Sequence, residues 1–234
     1  MRTLVATDTR GIGDRFATAI ALSTFHRRVP HITFRTLDRD LSSVWLLLKP
    51  FCSEIVNSDN PASPPAFWEW DANNLVYGPS FYFSRISSIA ELTRTHPGAI
   101  RRNPFNFTPT NWAHHGEKYI VLHPYASDPN RSMPEEDIAE IKSYCHKKGI
   151  QLYILPLPNT PLSAALKFVN DATLVIAVDS CIAHFAYWLR PNDPTIVCFY
   201  CTTKDWLFTG LPEPLPTCFS GTELAKIKAQ IDRL

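Results

Sequence analysis

Apolar residues fall into short β-branched runs alternating with helical repeats over most of the chain. Thr3–Ala6 predicts a first strand, followed by the loop Thr7–Asp14 (TDTRGIGD). Ala17, Ile20, Ala21, Thr24 and Phe25 then recur at helical spacing. That helix is expected to end in His26-Arg27-Arg28, where basic residues suit the helix dipole, before Val29-Pro30 stops it. His31–Thr36 predicts a second strand, Leu41–Phe51 a helix and Ser53–Val56 a third strand. The alternation resumes at Tyr119–His123, a buried strand followed by the loop Pro124–Met133. A helix is expected from Pro134, with Glu135 and Glu136 in its first turn, an inner stripe of Ile138, Ile141 and Tyr144-Cys145, and an end at Lys147-Lys148-Gly149. Gln151–Leu155, Leu174–Val178 and Thr195–Phe199 read as strands. Ser163–Asn170, the stretch from Cys181 and the tail Leu224–Leu234 read as helices.

Between these halves, from Asn57 to Gly116, the periodicity breaks down. Pro61, Pro64 and Pro65 cluster there with Phe67, Trp68, Trp70, Tyr77, Phe81, Tyr82 and Phe83. The stretch is too apolar for disorder. It reads as a loop-rich wall, or as an aromatic platform for a sugar, a base or lipid. Asn111–Lys118 (NWAHHGEK) is the expected linker. Two βα-repeating halves, residues 1–116 and 117–234, make an expected two-domain α/β protein with a cleft between the domains.

Candidate chemistry is densest in Thr173–Leu189 (TLVIAVDSCIAHFAYWL). The unbroken apolar run Leu174–Val178 suits a strand buried on both faces of a parallel sheet. Asp179 and Ser180 are N-cap candidates for the helix that follows. Phe185, Trp188 and Leu189 form its core stripe, and His184 lies within its first turn and a half. Asp179, the amides of Ser180 to Ala183, and His184 are therefore expected to converge where α/β sheets bind ligands. A helix N-terminus there favours an anion such as a diphosphate. The plainer reading is a capped junction with a partly buried histidine. In the first half, GIGD lacks the third glycine of a dinucleotide fingerprint. Its Asp14 is either a dipole-favourable helix-start residue or a general base.

Composition narrows the classes. The 234 residues are 45% hydrophobic and 19% charged, with a net charge of +1, so no strong electrostatic case for nucleic acid arises. No run reaches the ~18 apolar residues of a membrane span, and no N-terminal signal pattern stands out, which leads to an expected cytoplasmic location. The six scattered cysteines read as reduced core thiols. Cys198 and Cys201 have metal or redox spacing but no second pair. His114-His115 lacks a third ligand, and Asp38-Arg39-Asp40, although spaced like a divalent-metal motif, reads as a solvated turn.

Three segments together resemble the ADP-heptose:lipopolysaccharide heptosyltransferases, inverting enzymes of the GT-B type with two Rossmann-like domains. They are TDTRGIGDRFATAIALSTFHRRVPHITF, YIVLHPYASDPNRSMPEEDIAEI and VIAVDSCIAHFAYWL, in family order between residues 7 and 189. The resemblance implies a GT-B architecture with a reduced N-terminal acceptor-side domain and a C-terminal nucleotide-sugar domain. It implies Asp14 as the general base. The donor-binding residues would be Gly13, Ser127, Arg131, Asp179, Ser180, Cys181 and His184, with Arg131 standing where the family has a phosphate-binding lysine. No metal and no permanently bound cofactor are implied; a nucleotide-diphosphate sugar is the donor substrate. The acceptor stays open among glycan, protein, small molecule and DNA, and so does the oligomeric state. Cys181 replaces a family glycine, and a βα unit is expected to be missing between Leu155 and Ser163. Three readings follow: a metal-independent inverting glycosyltransferase, a phage-type enzyme glycosylating a hydroxymethylated DNA base, or a degenerate module that binds a nucleotide sugar or a protein. Residues 1–118 carry 13 Lys/Arg against 10 Asp/Glu, too small an excess to favour DNA.

Overall fold

Every strand pair among the described residues is parallel. The structure, a computed structural model, describes residues 3–7, 12–36, 46–57, 68–75, 81–100, 118–156, 161–190, 192–200, 208 and 211–234. It divides into two units, Met1–Phe105 with Asp205–Pro212, and Asn106–Lys204 with Glu213–Leu234.

The first unit holds a four-stranded sheet in the order β3-β2-β1-β4. Its strands are β1 (Thr3–Thr7), β2 (His31–Thr36), β3 (Glu54–Asn57) and β4 (Trp68–Asp71). Helix α1 (Ile12–Ser23) follows β1 and is buried continuously from Arg15 to Leu22. It ends three residues before the basic triplet expected to close it. Ser23 and Thr24 turn their hydroxyls onto Ile20 O and Ala21 O, at 2.6 and 2.8 Å, and compete with continuation of the helix. His26-Arg27-Arg28 therefore lies beyond the helix, whose last turn holds no basic residue. Residues 46–48 are helical and 49–51 form a turn, so the helix expected over Leu41–Phe51 stops before its expected end; residues 41–45 lie outside the described residues.

The stretch expected to be loop-rich carries regular structure. β4 adds to the free side of β1, with Leu4 opposite Trp68 and Thr7 opposite Asp71. Asp71 then caps a 3-10 turn over Ala72–Asn74 by accepting from Asn73 N at 2.9 Å. A second helix, α2 (Phe81–Thr93), buries Phe81, Tyr82, Arg85, Ile86, Ile89 and Thr93. Aromatic, serine and isoleucine residues have weak helix preference, and Arg85 interrupts the apolar stripe, so the pattern hid the helix.

The second unit holds a five-stranded sheet in the order β6-β5-β7-β8-β9. The strands are β5 (Tyr119–His123), β6 (Gln151–Ile154), β7 (Leu174–Val178), β8 (Thr195–Phe199) and β9 (Thr217–Ser220). The helices are α3 (Glu135–Lys147), α4 (Leu162–Asp171), α5 (Cys181–Leu189) and α6 (Leu224–Ile231). Pro134 occupies the cap position of α3 rather than its first turn. Among the described residues α4 separates β6 from β7; residues 157–160, within the stretch where a βα unit is expected to be missing, lie outside them. β9 has no counterpart in the sequence pattern.

All five residues of β7 are buried, as an unbroken apolar run in a central parallel strand should be. α5 departs from the single stripe expected of it: Ile182 to Leu189 are buried without interruption. Arg190 fastens its end. It is 1% exposed, and its guanidinium donates to Pro194 O at 3.0 Å and to Ala172 O. Burial lowers its pKa to about 10, which leaves it charged at neutral pH. No helix among the described residues is long and apolar enough to cross a membrane.

Candidate functional site

The direction of winding in the second unit reverses at β5. The chain goes from β5 to β6 on one side and then returns to place β7 on the other, with His123 opposite Ala177. A crevice opens beyond the carboxyl ends of strands at such a reversal, and it is the usual ligand position in this kind of sheet.

Two segments meet there. The first is the turn after β5, held by its own polar groups. Asp128 accepts from Asn130 N at 3.0 Å and opens a 3-10 turn over Pro129–Arg131. Ala126 N donates to Ser132 Oγ at 3.1 Å, and Met133 N to Pro124 O at 2.8 Å. Arg131 is thereby aimed at the tip of β7. Its guanidinium donates to Ser127 Oγ at 3.0 Å and approaches Asp179 O and Oδ2 at 3.4 and 3.5 Å. The second segment is the β7–α5 junction. Ser180 is the N-cap of α5 in extended conformation, but its side chain makes no capping bond. Its hydroxyl pairs instead with His123 Nδ1 at 3.0 Å. Helix N-termini present N–H groups that have no intrahelical acceptor. Diverting the capping hydroxyl to His123 keeps the side chain from covering those amides, and the dipole adds attraction for an anion.

The structure thus brings Ser127, Arg131, Asp179 and Ser180 together and adds His123, which the sequence reading had left inside a strand. Burial pushes the His123 imidazole down to about 4, so it is neutral at physiological pH. Cys181 begins α5 beside Ser180, and burial pushes its thiol up to about 11, leaving it protonated and a poor nucleophile or metal ligand. His184 is 5% exposed within the helix body, so little of it is open to a ligand.

The first unit carries the other candidate group. Gly13 and Asp14 stand in the first turn of α1, at the carboxyl edge of β1. Here too the order reverses, since β2 and β4 flank β1. Asp14 Oδ1 accepts from Arg85 Nη2 at 2.7 Å. Arg85 is fully buried, while the Asp14 side chain is 27% exposed. The sequence reading passed over Arg85 as one residue in an irregular stretch. Its signal was position: Arg85 is in helical phase with Phe81 and Ile89, which predicts a buried cation in need of an acid.

One alternative for the aromatic stretch falls. Trp70, Phe81 and Tyr82 are core residues, and Trp70 Nε1 donates to Ser88 Oγ at 2.8 Å, so these rings are not an acceptor platform. Among the described residues no three His, Cys, Asp or Glu side chains group as metal ligands. The described cysteines are free thiols: Cys52, Cys145 and Cys198 are buried, Cys181 and Cys218 partly so. Asp38-Arg39-Asp40, His114-His115 and Cys201 lie outside the described residues.

No family model matches the chain, and no curated protein does. Solved structures do. The Escherichia coli heptosyltransferase WaaC, with ADP-2-deoxy-2-fluoro heptose, superposes with a TM-score of 0.73 at 12% identity, over 99% of each chain. The chain shares the heptosyltransferase fold. E. coli ADP-heptose lps heptosyltransferase II gives 0.70 at 13% identity, over 100% of this chain and 98% of the other. A glycosyl transferase family 9 protein of Veillonella parvula DSM 2008 gives 0.65 at 12%, over 100% and 90%. At these identities the likeness establishes the α/β fold with parallel sheets.

Proposed function

We propose that the chain is a heptosyltransferase-like GT-B glycosyltransferase, moving a sugar from a nucleotide-diphosphate donor to a hydroxyl acceptor by a metal-independent, inverting reaction. Residues 117–234 form the donor side and residues 1–116 a reduced acceptor side. The observation that carries the reading is the junction at β5 and β7. A guanidinium, a carboxylate and an uncapped helix start converge at the reversal point of a sheet whose fold is that of enzymes solved with ADP and ADP-heptose analogues.

The chemistry requires a base on one side of the anomeric carbon and stabilised negative charge on the other. Asp14 takes the proton of the acceptor hydroxyl as its oxygen bonds to that carbon. The bond from the carbon to the diphosphate oxygen breaks. Arg131 and the amides of Ser180, Cys181 and Ile182 receive the charge, Ala183 N donating to Ser180 O at 3.1 Å; together they fill the role of a divalent cation in other transferases. Asp179 contacts the donor sugar, and Gly13, Ser127 and Cys181 complete the donor contacts, while His184, buried in the helix body, supports the helix start from behind.

The test is a thermal-shift screen against nucleotide-diphosphate sugars, beginning with ADP-heptose. A ligand that binds only folded protein at 100 times its Kd adds about 2.7 kcal/mol of stability. Arg131→Ala removes a charge-assisted contact worth ~1.5–3 kcal/mol and is expected to weaken binding at least tenfold. A flat response to every donor would remove this reading.

A further inference from the structure

Three contacts anchor the Arg85 side chain, which has no exposure. Nη1 donates to Phe81 O at 2.9 Å, the guanidinium carbon lies 4.2 Å from the Phe81 ring centroid, and Nη2 donates to Asp14 Oδ1 at 2.7 Å. The first two belong to α2 itself and fix where the planar fork points. The third crosses to α1. A guanidinium is costly to bury without an acid, so a purely structural ion pair would satisfy α2 by burying both partners. This pair is asymmetric: the arginine is sealed, while the Asp14 side chain keeps 27% of its surface open at the carboxyl edge of β1. That is the layout of a carboxylate held from behind and presented forward.

We propose that Arg85 is the positioning residue of the base: it acts on transfer through Asp14, by fixing the orientation of that carboxylate. The inference deepens the proposed function and rests on Asp14 being the base. Lysine cannot substitute, because a point charge lacks the fork that spans Phe81 O and Asp14 together.

The experiment measures ADP release from ADP-heptose, with water as acceptor. Water oxygen bonds to the anomeric carbon, its proton passes to Asp14, and the carbon–oxygen bond to the diphosphate breaks to free ADP. Arg85→Gln and Arg85→Lys are expected to lower kcat by about tenfold or more, with KM for ADP-heptose within about twofold. Asp14→Asn is expected to cost more. The double variant Asp14→Asn/Arg85→Gln should be no slower than Asp14→Asn within about twofold, because residues acting as one unit are not additive. Its melting temperature should exceed that of Asp14→Asn, since no buried cation is left uncompensated. Multiplying losses in the double variant, or full rate in Arg85→Lys, would overturn the positioning role. Recovery of rate together with melting temperature in the double variant would make Asp14 a mere counter-ion and overturn it as well. Absence of ADP release from the unaltered chain would instead strike the transfer reading, and the inference with it; the rate of the unaltered chain tells the two failures apart.

Discussion

His123 sits at the carboxyl end of β5 and holds the hydroxyl that would otherwise cap α5. Burial lowers its pKa from 6.5 to about 4 in the folded chain. Between those values the unfolded chain takes up a proton that the folded chain refuses. Its contribution to stability is therefore complete above pH 6.5 and is lost progressively as the pH falls toward 4. Melting temperatures measured from pH 7.5 downward should fall across that window, and His123→Gln should flatten the fall. An identical slope in the variant would detach the effect from His123. The residue was hard to pick out beforehand for a reason it shares with Arg85. Ser180 is 57 positions from His123, and Asp14 is 71 from Arg85, so each contact exists only once separate elements are packed. Asp179 and Ser180 were legible because a strand-to-helix junction places neighbouring residues at a sheet tip by local geometry alone.

Elements divide along the same line. β2, β5, β7 and β8 have the limits expected of them, and β7 and β8 show why, since a strand buried on both faces writes itself as an unbroken apolar segment. β4 and α2 were missed because their residues are aromatic and their packing, not their propensity, decides their state. The strap after α2 shows how closely such packing is fitted. Gly98 N donates to Thr24 O at 2.9 Å, just past the end of α1, and a Cβ at Gly98 would lie 2.9 Å from that same oxygen. The oxygen is backbone and a Cβ is fixed in place by the backbone, so neither can rotate away. Gly98→Ala is expected to destabilise the first unit by about 1–3 kcal/mol, as overpacking does. Denaturant unfolding should show a lower midpoint, with the affinity for ADP-heptose within about twofold, because Ser127, Arg131, Asp179 and Ser180, the main proposed donor residues, belong to the other unit. A midpoint equal to that of the unaltered chain would mean that the strap shifts freely.

At the scale of the whole molecule, two units with separate sheets and cores give the donor assignment a test that needs no acceptor. A ligand that binds one folded unit raises the free energy of every opening that destroys its site, and leaves untouched the openings that do not. With ADP-heptose at 100 times its Kd, amides of β5, β7 and α5 that exchange only by unfolding of their unit should slow about a hundredfold. The turn at residues 124–132 and the start of α5 should slow as well, since ligand covers them directly. Amides of β1, β2 and α1 beyond its first turn should exchange at nearly their unliganded rates, because in the proposed assignment Gly13 is the one donor contact from the first unit. The outcome to fear is the reverse pattern, with protection concentrated in β1 and α1. That would move the anion site to the helix start beside Gly13, and Arg131 would become only the partner of Asp179. The full-length likeness to the heptosyltransferases would survive such a result, since it speaks for the fold. What would fall is the division of labour between the halves, which rests on Arg131, Ser180 and His123 meeting at one reversal point of one sheet.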